Sequence, residues 1–212
     1  MNIFAVNNDP LQAARDLPDK LVVKMPTESL QLLTPWAFNV HGVKIEKPDP
    51  DGQLVLLESE RRYYGTKGFA HHPCAKWLYE SPANVAWLLN HAWEMVREYG
   101  RRYGKVHGTT QGLDQIADLV YWHEPDLSWS EHTEFVQAMP EEFKVAGDAI
   151  TAYRNYINGY KGYAEWRHSA KPAWWNEEMH EPVRKQYLAE REAKRVKRQH
   201  EKHSRLQTSL QN

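Results

Sequence analysis

Apolar positions along this chain recur mainly at three- and four-residue spacing, the pattern of helices packed on one another rather than of alternating strands. The clearest case follows Ser81-Pro82, where Val85, Leu88, Leu89, Ala92, Val96 and Tyr99 mark a helix predicted to run to about Tyr103. Asp9-Pro10 opens a short helix that Pro18 ends, and Pro18 begins a second, running to about Leu33 with a kink at Pro26. Further helices are expected over 111–123, 131–138 and 147–166, the last capped by Asp148, and over a tail from about Pro182 to Ser204. Two stretches break the pattern. Ile3, Phe4 and Val6 suit a short N-terminal strand, and residues 39–69, with a turn cluster from Pro48 to Gly52, read as a loop or irregular hairpin. The expected fold is mostly α: a compact single helical domain over 1–178, then a basic C-terminal helix or tail over 179–212.

The second helix carries the most informative polar pattern. At helical spacing Lys20, Lys24, Thr27, Glu28 and Gln31 share an arc of about 100°, while Leu21, Val22, Val23, Met25, Leu30, Leu32 and Leu33 fill about 200° of the rest. A narrow polar seam on a mostly buried helix must meet a cleft or other polar groups. Lys24 and Glu28, four residues apart, can pair. A partly desolvated lysine loses proton affinity and becomes a usable nucleophile, and Glu28 can move protons. The competing reading is an ordinary surface pair worth a few tenths of a kcal/mol.

Composition narrows the setting. Hydrophobic residues at 41% and charged residues at 26% suffice for a folded core. The single cysteine, Cys74, can form no internal disulfide, and neither a secretory leader nor a long apolar span is seen, so a cytoplasmic protein with no membrane partner is expected. His71-His72-Pro73-Cys74 has poor spacing for a tetrahedral zinc site, so no metal is expected, and His72 reads as a polar contact in a cleft. Phosphate-binding glycine loops and serine-hydrolase motifs are missing, so no cofactor is expected.

Nine Trp and eleven Tyr are more than packing usually recruits. Tyr153, Arg154, Lys161, Trp166 and Trp174 interleave cations with flat rings, which suits stacking on unpaired bases beside phosphates or, equally, an aromatic core with extended cations. The net charge of −1 hides an uneven distribution: residues 181–205 hold nine Lys or Arg against four Glu, either a phosphate-attracting tail or a solvated helix.

Several runs resemble a group of phage proteins. They are Asn2-Ile3-Phe4, Asp9-Pro10, Ala13-Ala14, Asp19-Lys20, Lys24-Met25, Glu28 and Gln31, then His72-Pro73-Cys74, Trp77, Glu80-Ser81 and Arg102-Tyr103-Gly104-Lys105. Met139-Pro140, Ala152-Tyr153-Arg154-Asn155-Tyr156, Lys161, Trp166 and Pro172 continue it to about residue 175. That group is distantly similar to the pyrimidine-dimer DNA glycosylases of the endonuclease V type. The resemblance implies a helical protein, in the cytoplasm of an infected bacterium, that binds duplex DNA and processes a base through an amine nucleophile and a carboxylate, as a DNA glycosylase and abasic-site lyase would. Glu28 is the match for the carboxylate, with Lys24 and Lys20 as the other catalytic candidates. Asn2 should keep Met1 in place, so the amine would come from Met1 or a lysine. Substrate contacts are expected from Gln31, His72, Tyr153, Arg154 and Lys161. Two alternatives belong to other classes: a non-enzymatic phage accessory protein that binds DNA or a host protein, and a transferase acting on modified bases or nucleotides.

Overall fold

The computed structural model describes the backbone of residues 1–54 and 56–210, and side chains as far as Lys202. Seven α-helices dominate: α1 (Pro10–Arg15), α2 (Asp19–His41), α3 (Pro73–Leu78), α4 (Pro82–Tyr103), α5 (Thr110–His123), α6 (Ala149–Tyr160) and α7 (Glu177–Leu210). The strands β1 (Glu46–Lys47) and β2 (Arg62–Tyr63) pair antiparallel and form the irregular hairpin expected within 39–69. Among the described residues, no helix is long and apolar enough to cross a membrane.

Local chemistry explains the helix starts. Asp9, His72, Ser81 and Asp148 each accept a backbone N–H of the turn that follows, and a proline occupies the first turn after the first three. Helix α2 continues eight residues past the expected end, through two buried prolines, Pro26 and Pro35, and stops at Gly42 in the left-handed region (φ 70°). Burial of Leu30, Leu32, Leu33, Trp36 and Ala37 outweighs the hydrogen bonds the prolines remove.

Helix α4 is the central element. Helices α1, α2 and α5 all pack on it, and Trp87 meets Trp77 and Phe135 in an aromatic cluster with ring centroids 4.7–6.2 Å apart. At the α1–α2–α4 junction Arg102, its side chain fully buried, donates to Leu17 O and Arg15 O at 2.8 Å each, to Glu98 at 2.9 Å and to Asp19 at 3.1 Å. Glu94 is held from the same side by Arg15 and Arg101.

Three expectations are corrected. Residues 131–138 are not helical. Thr133 exchanges hydrogen bonds with the Asn84 side chain, Gln137 with the Val145 backbone, and Phe135 inserts between Trp77 and Trp87, so side chains take the place of a helical ladder. Residues 2–6 are buried and Met1 is half-buried, but among the described residues they pair with no strand. The Asn2 side chain accepts from Ile3 N (2.8 Å) and Phe4 N (3.1 Å) and donates to Ala138 O (2.7 Å), while Phe4 takes a positive φ of 45°. Helix α6 ends at Tyr160 rather than near 166, because the chain turns at Gly162. A side chain there would meet Tyr187 Cβ at 2.5 Å and Val183 O at 2.7 Å, so glycine is what lets α7 dock this closely. Helix α7 starts at Glu177, ahead of Pro182, anchored by His180, which is fully buried against Asn158 O.

Candidate active site

The polar seam of α2 faces the chain's first residue on one side and the α6–α7 turn on the other. Lys24 and Glu28 form an ion pair at 2.7 Å in which Lys24 is largely exposed and the Glu28 side chain is only 13% exposed. The neighbours of Glu28 are revealed by the groups it perturbs: His72, Cys74, Lys161 and Tyr163 all feel its negative charge. The positive amino group of Met1 acts on His72 and Cys74. One carboxylate, one terminal amine, one imidazole and one half-buried lysine are thus linked electrostatically, contributed by α2, the N-terminal segment, the start of α3 and the end of α6.

Each group has an identifiable state. His72 Nδ1 accepts the Cys74 N–H as the cap of α3, which puts the proton of the neutral ring on Nε2. Burial lowers the His72 pKa, the Met1 charge lowers it further, and Glu28 opposes both. Burial pushes the Cys74 thiol up to about 12, so it stays protonated and is no nucleophile. Lys161 is brought down to about 8, first by burial and then by Lys24, with Glu28 opposing. Its ammonium donates to the Tyr156 hydroxyl at 2.7 Å and lies over the rings of Tyr156, Tyr160 and Phe4 at 4.1, 5.1 and 5.7 Å. Burial, then Tyr156 and Glu28, raise the Tyr163 hydroxyl to about 12.

The other residues singled out in the sequence fall in different places. Lys20 sits at the rim, donating to the Tyr187 hydroxyl at 2.8 Å between the rings of Tyr163 and Tyr187. Gln31 is exposed, one turn beyond Glu28. Tyr153 is fully buried and its hydroxyl is committed to Val136 O at 2.7 Å. Arg154 donates to Val6 O at 3.0 Å and lies against Trp174, bracing the N-terminal segment from outside. Sequence reasoning did not place Tyr163 or Cys74 beside Glu28, nor Tyr187 over Lys20. Those neighbours depend on the turn at Gly162 and on α3 abutting the N-terminus, and no local spacing encodes them. Beside Lys161 a cavity of about 430 Å³ opens between the α6–α7 turn and α7, lined by Tyr160, Lys161, Tyr163, Tyr187, Glu190 and Lys194 among others.

Residues 1–111, just over half of the chain, match the pyrimidine dimer DNA glycosylase family, and the chain belongs to that family. The matched region holds Met1, Lys24, Glu28 and His72; Lys161, Tyr163 and α7 lie outside it. No curated protein and no solved structure matches the chain. The class is therefore that of DNA-processing, glycosylase-like proteins, built here on a helical scaffold.

Proposed function

We propose that this protein removes a pyrimidine-derived base from duplex DNA through an amine attached covalently to the sugar, the amine being the one this sequence presents at Met1. The observation that carries the reading is the convergence of the Met1 amino group and the Glu28 carboxylate on His72 and Cys74.

The neutral amine adds its lone pair to C1′ as the bond from C1′ to the base nitrogen breaks, and the base leaves with that electron pair and a proton. Loss of the amine's proton and opening of the sugar ring at the C1′–O4′ bond give an imine. In this reading Glu28 takes the amine proton and returns it to O4′, a general acid–base task that a part-buried carboxylate beside a cation suits. The imine acidifies the C2′ proton, so its removal with departure of the 3′ phosphate breaks the strand. His72, which shares the fields of Met1 and Glu28, is a positioning residue in this reading. The rings of Tyr156 and Tyr160, with Lys161, offer a stacking and cationic surface for a base or phosphate displaced from the duplex. The accompanying setting, a phage protein in the cytoplasm of an infected bacterium, is supported by the sequence resemblance over residues 1–175.

A second amine is favoured by one observation: Lys161, lowered to about 8, holds a neutral fraction of about a tenth to a fifth near physiological pH, far more than an ordinary lysine, and also feels Glu28. The test is incubation with ultraviolet-irradiated duplex and borohydride, followed by peptide mapping. An adduct on the Met1 peptide is expected. An adduct on Lys161 would replace the nucleophile, and absence of both base release and adduct would leave a DNA-binding protein without this chemistry.

A further inference from the structure

Helix α7 changes character along a single face. Its first turns turn His180, Val183 and Tyr187 toward the core, His180 fully buried and Tyr187 seated on Gly162 and Lys20. From Leu188 to Lys202 every residue is exposed, so the helix stands clear of the core. Along this free part Arg191, Lys194, Arg195, Arg198 and Lys202 fall within an arc of about 100°, the same arc that carries His180 and Tyr187 nearer the core. Glu190, Glu192 and Glu201 flank the arc, and only Lys185 and Lys197 among the nearby cations lie on the opposite side. The free stretch from Tyr187 to Lys202 is about 22 Å long. It begins at the cavity that holds Lys161, which Lys194 also lines.

From this we infer that the inner face of α7 is a phosphate-tracking arm: a surface that holds the backbone of duplex DNA, without reading sequence, alongside the Glu28 site. The inference rests on the reading of the chain as a DNA-acting protein, and it adds a surface outside the region shared with the family. An ordinary solvated helix scatters its charges and pairs them with acidic neighbours three or four residues away. Of the five cations on this arc only Arg195 does so, with Glu192 at 2.7 Å, while Arg191, Lys194, Arg198 and Lys202 have no ion pair among the described residues; off the arc Lys185 pairs with Glu181. Five cations on one face, continuous with the docked face, meet a polyanion that extends past the edge of the core.

The test is salt-dependent binding of the full chain to a fluorescent, undamaged 30-base-pair duplex. The quadruple variant R191Q/R195Q/R198Q/K202Q is compared with K185Q/K197Q, which removes charge from the opposite face. The slope of log affinity against log salt is expected to become shallower by about 3 for the quadruple variant, with affinity at moderate salt down at least tenfold, and to change by less than about 1 for the control. Equal slopes for wild type and quadruple variant, a wild type that does not bind the duplex, or a proportionate loss in the control overturn the arm. Base release from irradiated DNA at saturating protein is measured in parallel. A slope change without base release supports the arm and removes the glycosylase reading, whereas base release with an unchanged slope does the reverse.

Discussion

The molecule holds two clusters of charge that share helix α2, and they are built in opposite ways. Around Arg102 the guanidinium is fully buried and meets two backbone carbonyls and two carboxylates, while Glu94 is held by three further arginines. Around Glu28 one carboxylate meets one largely exposed lysine and shares its field with an amine, an imidazole and a second lysine. A saturated network leaves no valence for a substrate and locks α1, α2 and α4 together. An unsaturated cluster contributes little to folding and keeps its groups available for exchange of protons and ligands. Stability and chemistry are thus assigned to separate charges, even though both clusters draw on helix α2.

The contrast can be broken most severely at Arg102. Replacing it with Met leaves Asp19 buried without its cation and Glu98 with Arg101 alone, and should cost about 3–5 kcal/mol in denaturant unfolding. An effect below 1 kcal/mol would mean that the network does not hold the helices. Glu28→Gln should behave inversely, with single-turnover base release falling about 100- to 1000-fold, about 3–4 kcal/mol in barrier, and the melting temperature nearly unchanged. Large unfolding with retained activity would merge the two clusters into one structural unit.

Acid should attack the saturated interior first. His91 on α4 is fully buried, stacked on Trp87 at 4.7 Å, with both ring nitrogens unpartnered among the described residues, and burial holds it down to about 3. Because its pKa is lower in the folded chain than the usual 6.5, the unfolded chain binds the proton first, and stability is lost as pH falls from 6.5 toward 3. About 2 kcal/mol should go between pH 6.5 and 5, and His91→Leu should abolish that loss in urea titrations at the two pH values. Burial raises the Glu94 pKa, but hydrogen bonds from Arg101 and Arg15 outweigh it and hold the carboxyl below its ordinary value. Its contribution is present above about pH 4.5 and disappears as pH falls through the lower folded value, so this second limb should survive in the His91 variant. The smallest effect is expected at Gly162→Ala. Forcing α7 off the turn should cost about 1 kcal/mol and speed proteolysis near Tyr187 without altering the Arg102 network.

Helices whose ends carry an acidic, serine or proline signal, such as α1 and α4, were legible from the sequence because their caps are local. The stretch 131–138 was not, since its backbone is satisfied by Asn84, Tyr153 and Asn2 side chains reached through the tertiary fold. The α2 seam was readable from periodicity alone, and its partial burial at Glu28 agrees with the proportion of apolar positions around it. The run 152–161 could be recognised as cations among rings, but not sorted. Burial in the core took Tyr153, the N-terminal segment took Arg154, and Lys161 was left beside Glu28. The role of Asn2 was half visible: its bulk after Met1 could be read, but its three hydrogen bonds could not.

Those bonds give the second residue two duties that cannot be varied separately. A small residue at position 2 would leave Ala138 O without its amide donor and would also invite enzymatic trimming of the initiator, setting the free amine back by one residue, about 3.5 Å along an extended chain.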